Sequence, residues 1–90
     1  MEFNENMLKS IIANNLKIIS LDEIEFTNNL SFQNDLGMGS IELVEIMVEV
    51  ETQFGIEFDF DEIGEILADY GKLKEYVVKK VGLMSIDSTN

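Results

Sequence analysis

The residue with the best setting for chemistry is a serine at the predicted start of a helix. Ser40 follows Gly37-Met38-Gly39, where two glycines permit a tight backbone. The first N–H groups of a helix lack intrahelical partners and lie at the positive end of the helix dipole. This setting favours a phosphate ester on the serine, although a serine at such a position also commonly serves only as an N-cap.

The composition excludes most other chemistry. The chain of 90 residues contains no His and no Cys. It therefore lacks an imidazole base, a thiol nucleophile, the usual zinc ligands and any disulfide framework. No acid or base in the sequence is arranged around Ser40, so we expect a protein that is not an enzyme.

The charge of the chain is strongly negative and unevenly distributed. The net charge is −12, and 14 carboxylates with no basic residue lie between Lys17 and Lys72. This balance argues against a nucleic-acid partner, which would need clustered positive charge. The acidic interval is either a solvated surface or a surface for basic proteins.

Length and hydropathy predict one soluble domain. Apolar residues make up 46% of the chain, and no run is long enough for membrane insertion. The N-terminus lacks a basic-then-apolar signal. We expect a cytoplasmic monomer with a single domain over residues 1–82 and a flexible tail over 83–90.

The hydrophobic periodicity predicts an all-α four-helix bundle with three main helices, one short helix and a long first loop. The predicted helices span about 3–17, 40–54, 61–67 and 69–81. Apolar side chains in the loop 18–39 should pin it to the core. Gly55 and Gly82 should end the second and last helices, and Asp61 and Asp69 should cap the third and fourth.

The second helix divides into three faces at 100° per residue. The predicted core face consists of Leu43, Ile46, Met47, Val50 and Phe54. An acidic stripe consists of Glu42, Glu45 and Glu49. The third face, the apolar flank, consists of Ile41, Val44 and Val48. The helix therefore has more apolar surface than packing against one core requires.

Two segments resemble the acyl carrier protein family. They are residues 29–45, NLSFQNDLGMGSIELVE, and residues 54–58, FGIEF. The order of elements is also similar over residues 3 to 81. The resemblance implies that a phosphopantetheinyl transferase esterifies Ser40 with 4′-phosphopantetheine taken from coenzyme A. The arm's thiol would then hold acyl groups as thioesters for enzymes of fatty-acid, polyketide or related biosynthesis.

The motif departs from the family at the two neighbours of Ser40. The family usually has Asp before the serine and Leu after it, whereas this chain has Gly39 and Ile41. In the family that Asp helps to contact the transferase. The resemblance implies partner enzymes with basic surfaces. The residues expected to contact the transferase and these enzymes are Gly39, Ile41, Glu42, Val44, Glu45, Val48, Glu49 and Glu51.

Two alternatives of other classes remain at this point. One is an acidic helical interaction module without a prosthetic group, which explains the charge but not the Gly-x-Gly-Ser sequence. The other is a divalent-cation module, since Asp59, Asp61 and Gly64 match three positions of a calcium loop. Ile63 and Tyr70 stand where that loop needs further ligands, so we expect no specific metal site.

Overall fold

The computed structural model describes residues 3–16 and 24–88, with side chains as far as residue 82. Within these ranges the chain forms four α-helices and no β-strand. The helices are α1 (Glu5–Asn15), α2 (Ser40–Phe54), α3 (Ile63–Ile66) and α4 (Tyr70–Ser88), with a 3₁₀ turn over Phe60–Glu62 before α3. The predicted all-α bundle, with three main helices, one short helix and a long first loop, is confirmed. Residues 17–23, where the loop was predicted to begin, lie outside the described residues.

The core is built from one face of each main helix and from the loop. Asn4 caps α1, because its Oδ1 accepts a hydrogen bond from the Met7 N–H at 3.1 Å. On α2, the predicted core face is fully buried at Ile46, Val50 and Phe54, whereas Leu43 and Met47 are half-buried. The side chains with no measurable exposure from the other elements are Leu8, Ile12, Phe32, Leu73 and Val77.

The loop between α1 and α2 is attached to the start of α4. Ile24, Leu30 and Phe32 are buried, which confirms the predicted anchoring for the described part of the loop. The Tyr70 N–H donates to the Leu30 carbonyl at 2.9 Å, and the Gly71 N–H donates to the Asn28 carbonyl at 3.0 Å. These two hydrogen bonds fix the position of the loop relative to the start of α4.

The predicted third helix, 61–67, is a 3₁₀ turn over Phe60–Glu62 followed by a shorter α3, and the cap lies before the turn. Asp59, not Asp61, is the capping residue, because its Oδ1 accepts from the Asp61 N–H at 3.3 Å. The chain enters the element as a 3₁₀ turn at Phe60. A 3₁₀ turn at a helix start moves the cap toward the N-terminus, which explains the error.

The last helix starts as predicted but continues further. Asp69 Oδ1 accepts from the Lys72 N–H at 2.8 Å, which confirms the cap. The prediction that Gly82 ends the helix is wrong, since α4 runs to Ser88. Glycine ends a helix efficiently when it adopts a positive φ, and Gly82 does not. The predicted tail is therefore helical up to Ser88, and a domain limit at residue 82 stays a prediction.

A polar network joins α1 to α4. The Tyr70 hydroxyl, on a side chain buried in the core, donates to Glu5 Oε2 at 2.7 Å. The Lys74 Nζ lies 3.1 Å from the same oxygen. The Tyr70 ring also packs on Phe26, with ring centroids 5.0 Å apart. This network fixes the first helix, the loop and the last helix relative to each other.

Candidate functional site

Ser40 is the first residue of α2, and its side chain is exposed. The N-cap is Gly39, in an extended conformation with φ −94° and ψ −176°. The simpler interpretation of Ser40, as the N-cap residue, therefore does not apply. Its hydroxyl is presented to solvent at the helix end and is available for modification.

The helix start combines one carboxylate cap with an open positive end. The Glu42 Oε1 accepts from the Gly39 N–H at 2.7 Å, which forms one half of a capping box. The other half is missing, because glycine has no side chain to accept from the first-turn N–H groups. Backbone donors beside Ser40 are thus left to solvent, and a phosphate ester on Ser40 would lie in a favourable field.

The backbone before Ser40 is fixed by the loop. Gly37 adopts a positive φ of 65°, a conformation that glycine accepts without strain. The Met38 N–H then donates to the Phe32 carbonyl at 2.9 Å, and the Met38 side chain is buried. Upstream, Ser31 Oγ accepts from the Asn34 N–H at 3.0 Å. The chain therefore reaches Ser40 along a defined path rather than through a loose segment.

The exposed face of α2 agrees with the predicted apolar flank. Ile41 is 70% exposed, Val44 52% and Val48 50%. These side chains extend along the helix from Ser40 and leave apolar surface in water. Exposed apolar surface of this kind is typical of a protein-interaction surface.

The acidic stripe is partly engaged within the protein. Glu45 is exposed, whereas Glu42 and Glu49 are half-buried. Glu42 caps the helix, and Glu49 Oε1 accepts from the Asn15 amide at 3.5 Å. Glu51 is half-buried, and its Oε2 accepts from the Phe58 N–H at 2.9 Å. Glu42 and Glu51 thus make contacts within the fold. That the residues named above as partner contacts bind other enzymes stays a prediction.

Sequence reasoning overlooked one residue, Phe60. Its side chain is 85% exposed, on the 3₁₀ turn beyond the end of α2. The available signal was an aromatic residue between Asp59 and Asp61, where a short acidic turn would normally be polar throughout.

The described part of the chain shows neither a group of metal ligands nor a membrane-spanning helix. Among the side chains described, in residues 3–16 and 24–82, no three His, Cys, Asp or Glu are grouped so that they could hold a metal ion. Asp59, from the candidate calcium loop, instead caps the 3₁₀ turn. Among the described helices, none combines the length and apolar character that crossing a membrane requires.

Comparison with known proteins identifies the family of this chain. The family described as "Phosphopantetheine attachment site" matches residues 7–77, which is more than half of the chain. An acyl carrier protein of Lactobacillus acidophilus is 39% identical over 61 residues, covering 68% of this chain and 72% of that protein. An acyl carrier protein of Thermotoga maritima is 32% identical over 75 residues, covering 83% and 88%. One of Lactobacillus johnsonii is 40% identical over 58 residues, covering 64% and 71%.

The chain belongs to the acyl carrier protein family. It is a carrier and not an enzyme, its cofactor is 4′-phosphopantetheine, and it works with synthase and transferase enzymes. The surroundings of Ser40 fit such a group, since the hydroxyl is exposed and Gly39 contributes no side chain that would cover it. The arm supplies a thiol, which this chain itself lacks.

Proposed function

We propose that Ser40 is the attachment residue and that the chain carries acyl intermediates of fatty-acid, polyketide or related biosynthesis in the cytoplasm. The observation that carries the proposal is the exposed hydroxyl of Ser40 at the first position of α2, inside the matched range 7–77. When bound, the arm supplies the thiol on which an acyl group is held as a thioester.

The role of this chain in loading is to present a nucleophile. Ser40 Oγ attacks the β-phosphorus of coenzyme A, and a new oxygen–phosphorus bond forms as the pyrophosphate bond breaks. Adenosine 3′,5′-bisphosphate leaves, and the hydroxyl proton passes to the transferase. In this proposal the transferase supplies the magnesium ion and the base that activate the hydroxyl. The open N-terminus of α2 favours the negative charge that the ester brings.

The surface along α2 supports the proposed partners. The apolar flank lies beside Ser40, and Glu45 adds exposed negative charge on the same helix. A basic surface on a transferase or synthase would complement this charge and speed the encounter. Exposed ion pairs are individually weak, so they suit complexes that form and separate repeatedly.

The assignment of Ser40 is tested by loading the protein that lacks the arm. The apo protein is incubated with coenzyme A, magnesium and a broad-specificity transferase, and its intact mass is measured. We expect one phosphopantetheine to be added to the wild-type chain and none to Ser40→Ala. Ser10→Ala is the control, since it removes a serine that lies on α1, outside the loop that leads to Ser40, and it should load normally. A Ser40→Ala protein that still gains the mass would show that the attachment site is elsewhere.

The acyl class is tested in the cell that makes the protein. Intact masses of the carrier isolated from growing cells should fall at discrete values above the phosphopantetheine form. A ladder of saturated even-carbon chains would indicate fatty-acid synthesis, whereas oxygenated or branched groups would indicate a specialised pathway. A protein isolated only without an arm would favour the alternative, an acidic interaction module.

A further inference from the structure

Phe60 is an apolar side chain whose place in the fold is not explained by packing. Its ring is 85% exposed, more than Ile41 at 70% or Val78 at 42%. Two residues earlier, Phe58 is buried, and so is Ile56 before it. An extended chain would turn Phe60 to the same side, but the 3₁₀ turn begins at Phe60 and directs the ring outward.

The segment that carries Phe60 is held in place by side chains from two helices. From α2, Glu51 Oε2 accepts from the Phe58 N–H at 2.9 Å. From α4, the Tyr76 hydroxyl accepts from the Asp59 N–H at 3.0 Å and donates to the Glu57 carbonyl at 3.2 Å. The Phe58 and Tyr76 rings also stack, with centroids 5.3 Å apart. The backbone next to Phe60 is therefore fixed, and the ring can be bound with little further loss of loop entropy.

Phe60 also extends the apolar flank of α2. Thr52 follows Ile41, Val44 and Val48 at helical spacing, so it lies on the same face of the helix. Thr52 and Phe60 line one open groove at the end of α2, together with Glu51, Ile56, Glu57 and Phe58. The exposed apolar flank therefore begins beside Ser40, and Phe60 lies beyond its far end, with Thr52 between them. At 1.5 Å per residue, α2 separates the two ends by about 20 Å.

The charge around Phe60 defines the kind of partner that fits it. Glu57, Asp59, Asp61 and Glu62 are all exposed on the same short segment. A partner that buries the ring must bring an apolar pocket with a basic rim. A second copy of this chain would instead bring a like-charged rim against this one, at a net charge of −12 for each molecule.

We propose that Phe60 is a docking anchor for an enzyme that acts on the acyl group carried at Ser40. The ring enters an apolar pocket rimmed by Lys and Arg, at the end of α2 opposite the attachment residue. This proposal rests on the proposed function, and it adds a contact point that the attachment motif does not contain. A contact beyond the far end of α2 fixes the orientation of the carrier on the enzyme more firmly than contacts close to Ser40 would alone.

The test compares Phe60→Ala with Val78→Ala, a matched loss of an exposed apolar side chain on α4. Each protein is loaded first, and its arm is confirmed by mass. Each is then titrated as substrate into an acyl-transferring enzyme and a synthase purified from the source organism. We expect Phe60→Ala to raise KM roughly ten-fold or more for at least one enzyme, with kcat and the melting temperature unchanged. Val78→Ala should leave KM unchanged.

A second measurement separates docking from the function of the arm. Binding of Ser40→Ala, which cannot be loaded, to the same enzyme is measured by calorimetry with and without Phe60→Ala. Binding that persists without the arm and weakens with Phe60→Ala supports the anchor, even if the attachment site is found elsewhere. KM values within two-fold of wild type for every enzyme that accepts the wild-type carrier would overturn the proposal. So would a concentration-dependent dimer, seen by sedimentation, that Phe60→Ala abolishes.

Discussion

At the residue scale, the side chains of α2 have sharply different environments within a few positions. Phe54 has no exposed surface, and its ring stacks on Phe3 with centroids 5.9 Å apart. Val44, on the same helix, is 52% exposed. This contrast separates the residues that hold the fold from those available to partners.

The first prediction concerns these two residues. Phe54→Ala should lower the free energy of unfolding by about 3–5 kcal/mol, because it leaves a cavity in the core. Val44→Ala should cost less than about 0.5 kcal/mol, because little buried surface is lost, and it should mainly weaken binding to partner enzymes. Urea unfolding followed by circular dichroism measures both changes. Equal losses for the two variants would show that the faces of α2 are assigned wrongly.

Glu5 is the acidic residue with the clearest role inside the fold. The hydrogen bond from the buried Tyr70 hydroxyl, followed by the contact with Lys74, lowers the pKa of Glu5 below its usual 4.5. Burial, and then the bond to Glu5, raises the pKa of Tyr70 well above its usual range. The pair therefore favours a charged Glu5 next to a neutral Tyr70 in the folded protein.

The second prediction concerns the lowered pKa of Glu5. A lowered folded-state pKa contributes stability above the unfolded pKa, and this contribution is lost as the pH falls through the folded value. The difference in unfolding free energy between wild type and Glu5→Gln should therefore shrink between about pH 6 and about pH 3. Denaturant melts at several pH values measure this difference.

Tyr70→Phe provides the matching control, since it removes the largest cause of the shift and keeps the ring. In that variant, NMR titration should place the pKa of Glu5 closer to its usual value. A Glu5 pKa that does not change in Tyr70→Phe would contradict the account of this network.

At the element scale, the ends of a helix are predicted well where a capping or terminating residue lies at that end. Gly55 adopts a positive φ of 68° and ends α2 at the predicted position. Asp69 caps α4 as predicted, because an Asx cap is formed by residues close in sequence. Gly82, like Gly55, was predicted to end a helix, but its backbone remains helical. A glycine alone does not show which backbone conformation it adopts, because that choice also depends on the neighbouring residues.

The third prediction uses this difference between the two glycines. Gly82→Ala should raise the free energy of unfolding by roughly 0.5–1 kcal/mol, because Gly82 is exposed in a helix and a Cβ there meets nothing within 4 Å. Gly55→Ala should lower it by about 1–2 kcal/mol, because alanine is strained at positive φ. Thermal and urea unfolding of both variants are the measurements. A loss of stability in Gly82→Ala would indicate that α4 ends at residue 82 in solution, as the sequence suggested.

The loop shows what local patterns cannot reveal. The anchoring by Leu30 and Phe32 could be expected from apolar residues in a long loop. The pairing with α4 could not, because it joins residues far apart in sequence. At Gly71, a Cβ would lie 2.7 Å from the Asn28 carbonyl oxygen, so the close approach requires glycine. For the site, Ser40 and the apolar flank were predictable from the helix pattern, whereas the outward turn at Phe60 depends on the 3₁₀ geometry.

At the scale of the whole molecule, the lysines found in ion pairs contact carboxylates that lie outside α2. The ion pairs found among the described residues join Lys9 and Lys74 to Glu5, and Lys72 to Glu65. None of them involves a carboxylate of α2. The acidic stripe therefore adds to the repulsion within the folded chain rather than to its internal pairing.

The fourth prediction is that this repulsion limits stability at low ionic strength. Sodium chloride should raise the melting temperature, since the Debye length falls to about 10 Å at 0.1 M. Millimolar calcium or magnesium at matched ionic strength should raise it further, because one ion can bridge neighbouring carboxylates and favour the folded form. Scanning calorimetry over a salt series measures both effects. The same salt should slow association with basic partner enzymes.

A melting temperature that is indifferent to sodium chloride and to divalent ions would mean that the acidic surface is only a solvated face. A melting temperature that rises with sodium chloride but not further with divalent ions would support the repulsion and contradict bridging by these ions. Either result would leave the assignment of Ser40 untouched, because that assignment rests on the helix start and not on the charge.

The central claim is that the arm is attached to Ser40, and peptide mapping of the protein from its native cells tests it most directly. No Lys lies between Lys17 and Lys72, so a tryptic peptide would contain Ser20, Ser31 and Ser40 together. Cleavage after Asp and Glu instead releases residues 36–42, LGMGSIE, in which Ser40 is the only hydroxyl-bearing side chain. We expect the mass of this peptide to be increased by one phosphopantetheine group, with or without an acyl chain. An unmodified peptide 36–42 from a protein that carries the group elsewhere, or from a protein that never carries it, would contradict the account.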